Sequence, residues 1–256
     1  MKLKITKSNW DLLAEMIKTD FKLRYHGSLL GFLWVLLKPF CIFLILYIIF
    51  YYLFARGDEY FALRLILGLI VYSFFAEATT HGINSLLGKA NIILKVNFPR
   101  QIVVFASVIN SLITLGISFF IFLIFWVFKP TAITWLWLLF PVYILVLTLF
   151  VLGISFFTSI ISVRFRDLQN IWDVLLQVLF YASAVFYPIS ILPEKLQKWI
   201  YLNPLTIYIQ QIRQILVDGE LPDMKLFVAI LLLSVGTFIL GYLYFRRNIK
   251  KVAEYF

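Results

Sequence analysis

The sequence predicts an all-α, polytopic membrane protein with six transmembrane helices. Three observations lead there. The 256-residue chain is 62% hydrophobic and only 14% charged, with a mean hydropathy of +0.94; a soluble domain of this length needs far more surface charge. Several apolar runs reach the ~20 residues that cross a hydrocarbon core of about 30 Å. Those runs are continuous rather than alternating, which argues for helices and against the strands of a barrel.

Spans are expected at 32–54, 61–81, 102–128, 135–162, 171–187 and 226–245. Between them the basic residues divide unevenly. Lys18, Lys22, Arg24, Lys89, Lys95, Arg100, Arg164, Arg166, Arg246, Arg247, Lys250 and Lys251 fall on one side, with Lys2, Lys4 and Lys7. The other side has chiefly Arg56, Arg64, Lys129, Lys195, Lys198 and Lys225. The richer side is expected to be cytoplasmic, and six spans leave both termini there. About thirty residues precede the first apolar run, which ends in FARGDE without a small-residue cleavage site, so a cleaved signal is not expected.

Composition excludes several functions. The net charge of +10 is spread over loops, with no compact basic domain for nucleic acid. One cysteine, Cys41, forms no intrachain disulfide, and His26 and His81 are too few for a His/Cys zinc site. GINSLLGKA has five residues between its glycines where a phosphate-binding loop has four, and Ala90 stands where a Mg²⁺-binding hydroxyl is required. No cofactor or nucleotide is expected on this chain, and by itself it is not expected to be an enzyme.

Four non-spanning pieces remain. SNWDLLAEMIKTDFKLRY has helical period, with Trp10, Leu13, Ala14, Ile17 and Phe21 on one face; it reads as a surface helix, either a membrane-resting anchor or a partner-facing one. NSLLGKANIILKVNFPRQ holds a second short amphipathic unit at 85–95, with Leu86, Leu87 and Ile93 in its stripe and Lys89 and Lys95 beside it. Tethered between two spans, it is either an interfacial connector or a lever. SVRFRDLQNIW is a short Arg-rich turn. The stretch from Tyr187 to Asp223 carries half of the eight prolines and splits into helical patterns at 193–201 and 204–217, with Asn203-Pro204 as a cap-then-N1 pair. Both patterns are too short to cross and too apolar for a loop, so re-entrant gate helices over 193–217 are expected.

Acids within spans are few. Glu77 and His81 lie one turn apart, and Asp173 opens the fifth span. Aromatics run through the depth of spans one and five: Phe40, Phe43, Tyr47 and Tyr51, then Phe180, Tyr181 and Tyr187. They are either packing or a ring-lined path suited to sugars. Lys38, just inside the first span, either snorkels to the interface or meets a substrate phosphate.

In order along the chain, RYHGSLLGFLWVLLKP, LLGKANIILKVNFPRQI, SVRFRDLQNIW and NPLTIYIQQIR resemble the permeases of polysaccharide-exporting ABC transporters. Across nearly the whole chain, the resemblance implies a single transmembrane domain over 1–256, with 1–31 as interface helix and approach and 85–95 as coupling helix. It implies a homodimer bound to two copies of a separate ATPase subunit, which would hold ATP and Mg²⁺. Carried onto this chain, Trp10, Ile17, Phe21, Arg24, Leu86, Leu87, Lys89, Ile93 and Lys95 would couple to the ATPase. Spans one and five would line the path with the aromatics above and Lys38, and Trp199, Tyr201, Tyr208 and Ile212 would form the outer gate. The implied substrate is an undecaprenyl-linked polysaccharide, O-antigen first and teichoic acid or capsule next, crossing the bacterial inner membrane among its lipids. A drug or lipid exporter of the same superfamily stays open, as does a glycan-processing enzyme using Glu77 and Asp173.

Overall fold

A computed structural model describes residues 7–25, 30–54 and 58–254. Lys2, Lys4, Arg56 and positions 26–29, with His26, lie outside the described residues. Within them all regular structure is helical. The order is α1 (Lys7–Tyr25), α2 (Trp34–Phe54), α3 (Phe61–Gly88), α4 (Ala90–Lys95), α5 (Gln101–Phe128), α6 (Phe140–Arg164), α7 (Leu168–Ala182), α8 (Glu194–Ile200), α9 (Pro204–Arg213) and α10 (Met224–Asn248). A 3₁₀ turn at Trp135–Leu139 leads into α6, and a π turn at Gln214–Asp218 follows α9.

Five helices are long and apolar enough to cross a membrane: α2, α3, α5, α6 with its leading turn, and α10. The fifth expected span, 171–187, is corrected. Here α7 has 15 residues, about 22 Å at 1.5 Å per residue, short of the ~30 Å core. It ends because Ala184 takes φ 50°, a left-handed conformation that no helix continues, and Pro188 is itself extended, at φ −75° and ψ 137°.

A second piece, α9, continues in the direction of α7. α7 runs antiparallel to α3: Trp172 Nε1 donates to Thr79 Oγ1 at 3.0 Å, and the Tyr72 hydroxyl donates to the Leu176 carbonyl. α9 starts beside the last turn of α7, where Asn203 Nδ2 donates to the Ala182 carbonyl at 3.3 Å and to Ser183 Oγ at 2.8 Å. Asn203 Oδ1 also accepts from the Leu205 amide at 3.0 Å, capping a helix whose first residue is Pro204. The chain then reaches the end of the bundle at which α3 and α10 begin. That end carries Arg64 and Lys129. The other, the basic end, carries Lys89, Lys95, Arg100, Arg164, Arg246 and Lys250.

α3 is the hub, touching α2, α5, α6, α7 and α9, and 72% of its most apolar stretch is buried, against 11% for α2. Between lipid-facing helices apolar burial gives little drive, so close backbone approach carries the packing. α6 and α10 cross at Gly153 and Gly241, where a Cβ on Gly241 would fall 2.1 Å from the Gly153 carbonyl oxygen. α3 and α6 cross at Gly82 and Ser155, where a Cβ on Gly82 would fall 2.2 Å from Ser155 Oγ.

Two short elements differ in form from the expectation. α1 lies along α5 on Leu12, Leu13, Met16 and Ile17, leaving Trp10 and Ala14 exposed. The buried face is rotated from the apolar stripe because Asp20 and Arg24 also turn inward, to Lys89 and Glu77. The segment 85–95 is divided: 85–88 is the last turn of α3, and α4 starts after a break at Lys89.

Candidate functional site

The outward face of α7 is the least expected surface of the molecule. Trp172, Leu176, Leu179 and Phe180 turn toward α3 and the core. Asn170, Asp173, Gln177 and Tyr181, spaced by three, four and four residues, share the flank beside this face, exposed on a single chain together with Ile171, Val174 and Val178, which point more directly away from the core. Turning an amide toward hydrocarbon without a partner costs about 2–7 kcal/mol. A stripe of two amides, a carboxylate and a phenol along one helix therefore belongs against water, a polar ligand or another copy of the chain. Of the aromatics expected to line a path, Tyr181 lies on this stripe, 65% exposed. Phe180 turns the other way, its ring 5.1 Å from Tyr72, and the Tyr187 hydroxyl donates to the Tyr181 carbonyl at 2.8 Å.

The turn that ends α7 is held by a buried cation. Arg213 donates from Nε to the Arg64 carbonyl at 2.9 Å, from Nη1 to the Ala184 carbonyl at 3.0 Å and from Nη2 to the Val185 carbonyl at 2.6 Å. The planar, five-donor guanidinium suits three carbonyls at once, as a lysine would not. Gly68 makes the room: a Cβ there would fall 2.8 Å from the Val185 oxygen. Nearby, Arg64 pairs with both Asp58 and Asp218 and so ties the start of α3 to the π turn.

The four outer-gate residues separate into two kinds. Trp199 and Tyr201, on and after α8, are exposed. Tyr208 and Ile212, on α9, are fully buried, and Tyr208 shares a 2.7 Å hydrogen bond with Ser234 of α10. In α2 the expected path residues Phe40, Phe43 and Tyr47 pack inward. Phe43 is buried, its ring 4.8 Å from Phe125, and Tyr47 stacks near Phe61. Tyr51 and Lys38 are exposed. The free face of α2 is otherwise apolar, with Ile45, Ile48, Ile49 and Leu53.

At the basic end Arg24 reaches from α1 to Glu77 and to Thr114 Oγ1 at 3.3 Å. Its Nη2 also lies 3.2 Å from His81 Nδ1. A guanidinium only donates, so Nδ1 accepts and a neutral His81 carries its proton on Nε2. Glu77 is thus held by a cation, while Asp173 sits on the exposed face of another helix. Lys89 pairs with Asp20, a second tie between α1 and the end of α3. Leu86 and Ile93 are buried, Leu87 is partly buried, and Ile17, Phe21 and Arg24 are half-buried. The exposed surface of this region includes Trp10 and Leu23 on α1 and Ile92, Leu94, Lys95 and Val96 around α4. Among the described residues no group of three or more His, Cys, Asp or Glu could hold a metal ion.

Aromatic content in the sequence singles out Tyr181 and leaves Asn170 and Gln177 unmarked, although helical spacing sets all three on one flank. Arg213 gave no signal, because a cation that pairs with carbonyls leaves no partner pattern in sequence.

Comparison with known proteins places this architecture. The ABC-2 type transporter family matches residues 12–217. The chain is 29% identical over 226 residues to the O-antigen export system permease protein RfbA of Myxococcus xanthus, covering 88% of this chain and 87% of that one. It is 30% identical over 216 residues to the protein of the same name from Klebsiella pneumoniae, covering 83% and 82%. The polysialic acid transport protein KpsM of Escherichia coli is 22% identical over 219 residues, covering 80% of each chain. With five membrane-crossing helices and a family match over most of its length, the chain belongs to the ABC-2 type transporter family as a multi-pass membrane protein.

Proposed function

We propose that this chain is the permease of an ATP-driven exporter that moves a lipid-linked polysaccharide, O-antigen in the first instance, across the inner membrane. Its basic end faces the cytoplasm, two copies enclose the path, and a separate ATPase subunit supplies the energy. The observation that carries this reading is the exposed stripe Asn170–Asp173–Gln177–Tyr181. A hydrated glycan needs a path that offers hydrogen bonds and a ring face rather than an apolar wall, and the names of the relatives support the glycan class.

The geometry supplies a route for the work. An ATPase that presses on the exposed Ile92, Leu94 and Val96 moves α4, and α4 continues from α3 through Lys89. Asp20–Lys89 and Arg24–Glu77 oblige α1 to follow. α3 grips α7 through Thr79–Trp172 and Tyr72–Leu176, so displacement of α3 reorients the stripe. Trp199 and Tyr201, exposed at the α8–α9 corner beside the end of α7, would form the outward gate.

The test is complementation. In a cell lacking its own O-antigen permease, this chain with its cognate ATPase should restore surface O-antigen and co-purify with the ATPase. Leu94→Asp should abolish export while the permease still reaches the membrane. Lys89→Glu, which sets two anions together at Asp20, should do the same. Normal export with both variants would overturn the coupling route. Export of a small amphiphile but of no glycan would overturn the substrate class.

A further inference from the structure

A cleft of about 850 Å³ opens at the basic end between α1, the 97–100 turn, the start of α5 and the end of α10. We propose that it holds one anionic glycerophospholipid from the leaflet at that end. This goes beyond the transport reading and does not depend on it.

The cleft has two chemically distinct parts. Arg100, Arg246 and Lys250 stand at its mouth, and among the described residues no Asp or Glu lines it. Arg100 also donates from Nη1 to the Ile249 carbonyl at 2.7 Å, which fixes the end of α10 against the start of α5. The walls are apolar, with Phe105 and Ile109 on α5 and Tyr242 and Phe245 on α10. Ile109 lies eight residues into α5, about 12 Å along its axis at 1.5 Å per residue. Three cations with no Asp or Glu among the described lining residues call for an anion, and each is worth about 1 kcal/mol toward an anionic headgroup. An apolar wall reaching this far into a spanning helix calls for an acyl chain. A water-soluble subunit meets the mouth but cannot follow α5 to Ile109, and a free phosphate leaves the walls uncovered. Trp10, exposed at the rim, suits the headgroup level.

The purified, delipidated full-length chain in neutral detergent is titrated with phosphatidylglycerol or phosphatidylcholine and read by native mass spectrometry. One phosphatidylglycerol per chain is expected, at least tenfold tighter than phosphatidylcholine. Arg246→Gln with Lys250→Gln should weaken it about thirtyfold, from two contacts of about fivefold each. Ile109→Trp, which fills the inner end without changing charge, should also weaken it at least fivefold. Lys195→Gln with Lys198→Gln, at the opposite end, should leave it unchanged. Lys250→Gln alone, expected near fivefold, replaces the double variant if that variant melts early without lipid. Equal affinity for the two lipids, or indifference to Ile109→Trp, would overturn the site. So would displacement of phosphatidylglycerol by stoichiometric polyprenyl diphosphate, which would assign the cleft to a diphosphate lipid. Loss of the ATPase from the double variant with phosphatidylglycerol binding intact would make it a protein-docking surface instead.

Discussion

α2 and α7 entered as equals, the two helices expected to line a path with aromatic rings, and the structure separates them. α2 turns its rings inward, Phe43 against Phe125 and Tyr47 against Phe61, and shows an apolar face of Ile45, Ile48 and Ile49. α7 buries Phe180 and shows Asn170, Asp173, Gln177 and Tyr181. Ring content is therefore a poor guide to which surface meets a hydrated substrate. Rings pack well anywhere in a bundle, whereas an amide has few places to go in lipid. The proposed path is polar on α7, and α2 contributes packing and the face that meets lipid or the second copy.

The contrast can be broken from either side. Phe43→Ala should have the largest effect on stability: deleting a buried Phe costs about 3–5 kcal/mol. It should be read as a fall in thermal unfolding temperature in detergent, with export per folded molecule preserved. A selective loss of export at unchanged stability would return Phe43 to the path. Arg213→Met should come next. It strips the charged donor from three carbonyls, but the buried guanidinium's own desolvation cost disappears with it, so the net loss should be about 2–3 kcal/mol. Proteolysis near the turn at Ala184 should rise with the loss of stability.

Asn170→Leu with Gln177→Leu acts on function instead. Export should fall about tenfold, equivalent to about 1.4 kcal/mol in the barrier, while unfolding temperature holds, because both side chains are exposed and such substitutions usually stay within about 0.5 kcal/mol each. The smallest effect belongs to Ile48→Ala on the free face of α2, within about 0.5 kcal/mol in stability and with export unchanged. A large loss there would mean that α2 shares the path after all.

Much of the fold was legible. Continuous apolar runs located five spanning helices, and Asn203-Pro204 marked the start of α9, because length and capping are local properties. The errors have a common physical source. The fifth span is expected to run to Tyr187, but Ala184 turns left-handed under the grip of Arg213 from twenty-nine residues away. The packed face of α1 is rotated because Arg24 and Asp20 pair with α3 rather than with solvent. The 85–95 unit was read as one helix, yet Leu86 belongs to the buried end of α3 and only α4 stands free. Each depends on a partner distant in sequence, which periodicity cannot report. The α7 stripe is different: its spacing is local and therefore legible in the sequence.

The central claim is that water reaches the α7 stripe and not the free face of α2. In a Cys41→Ser background, single cysteines at 170, 173, 177 and 181, and at 45 and 48, are exposed to a charged, membrane-impermeant thiol reagent in the assembled transporter. The account predicts rapid labelling at the four α7 positions, slowed by bound glycan, and none at 45 or 48. Labelling of 45 and 48 with silence along α7 would contradict it.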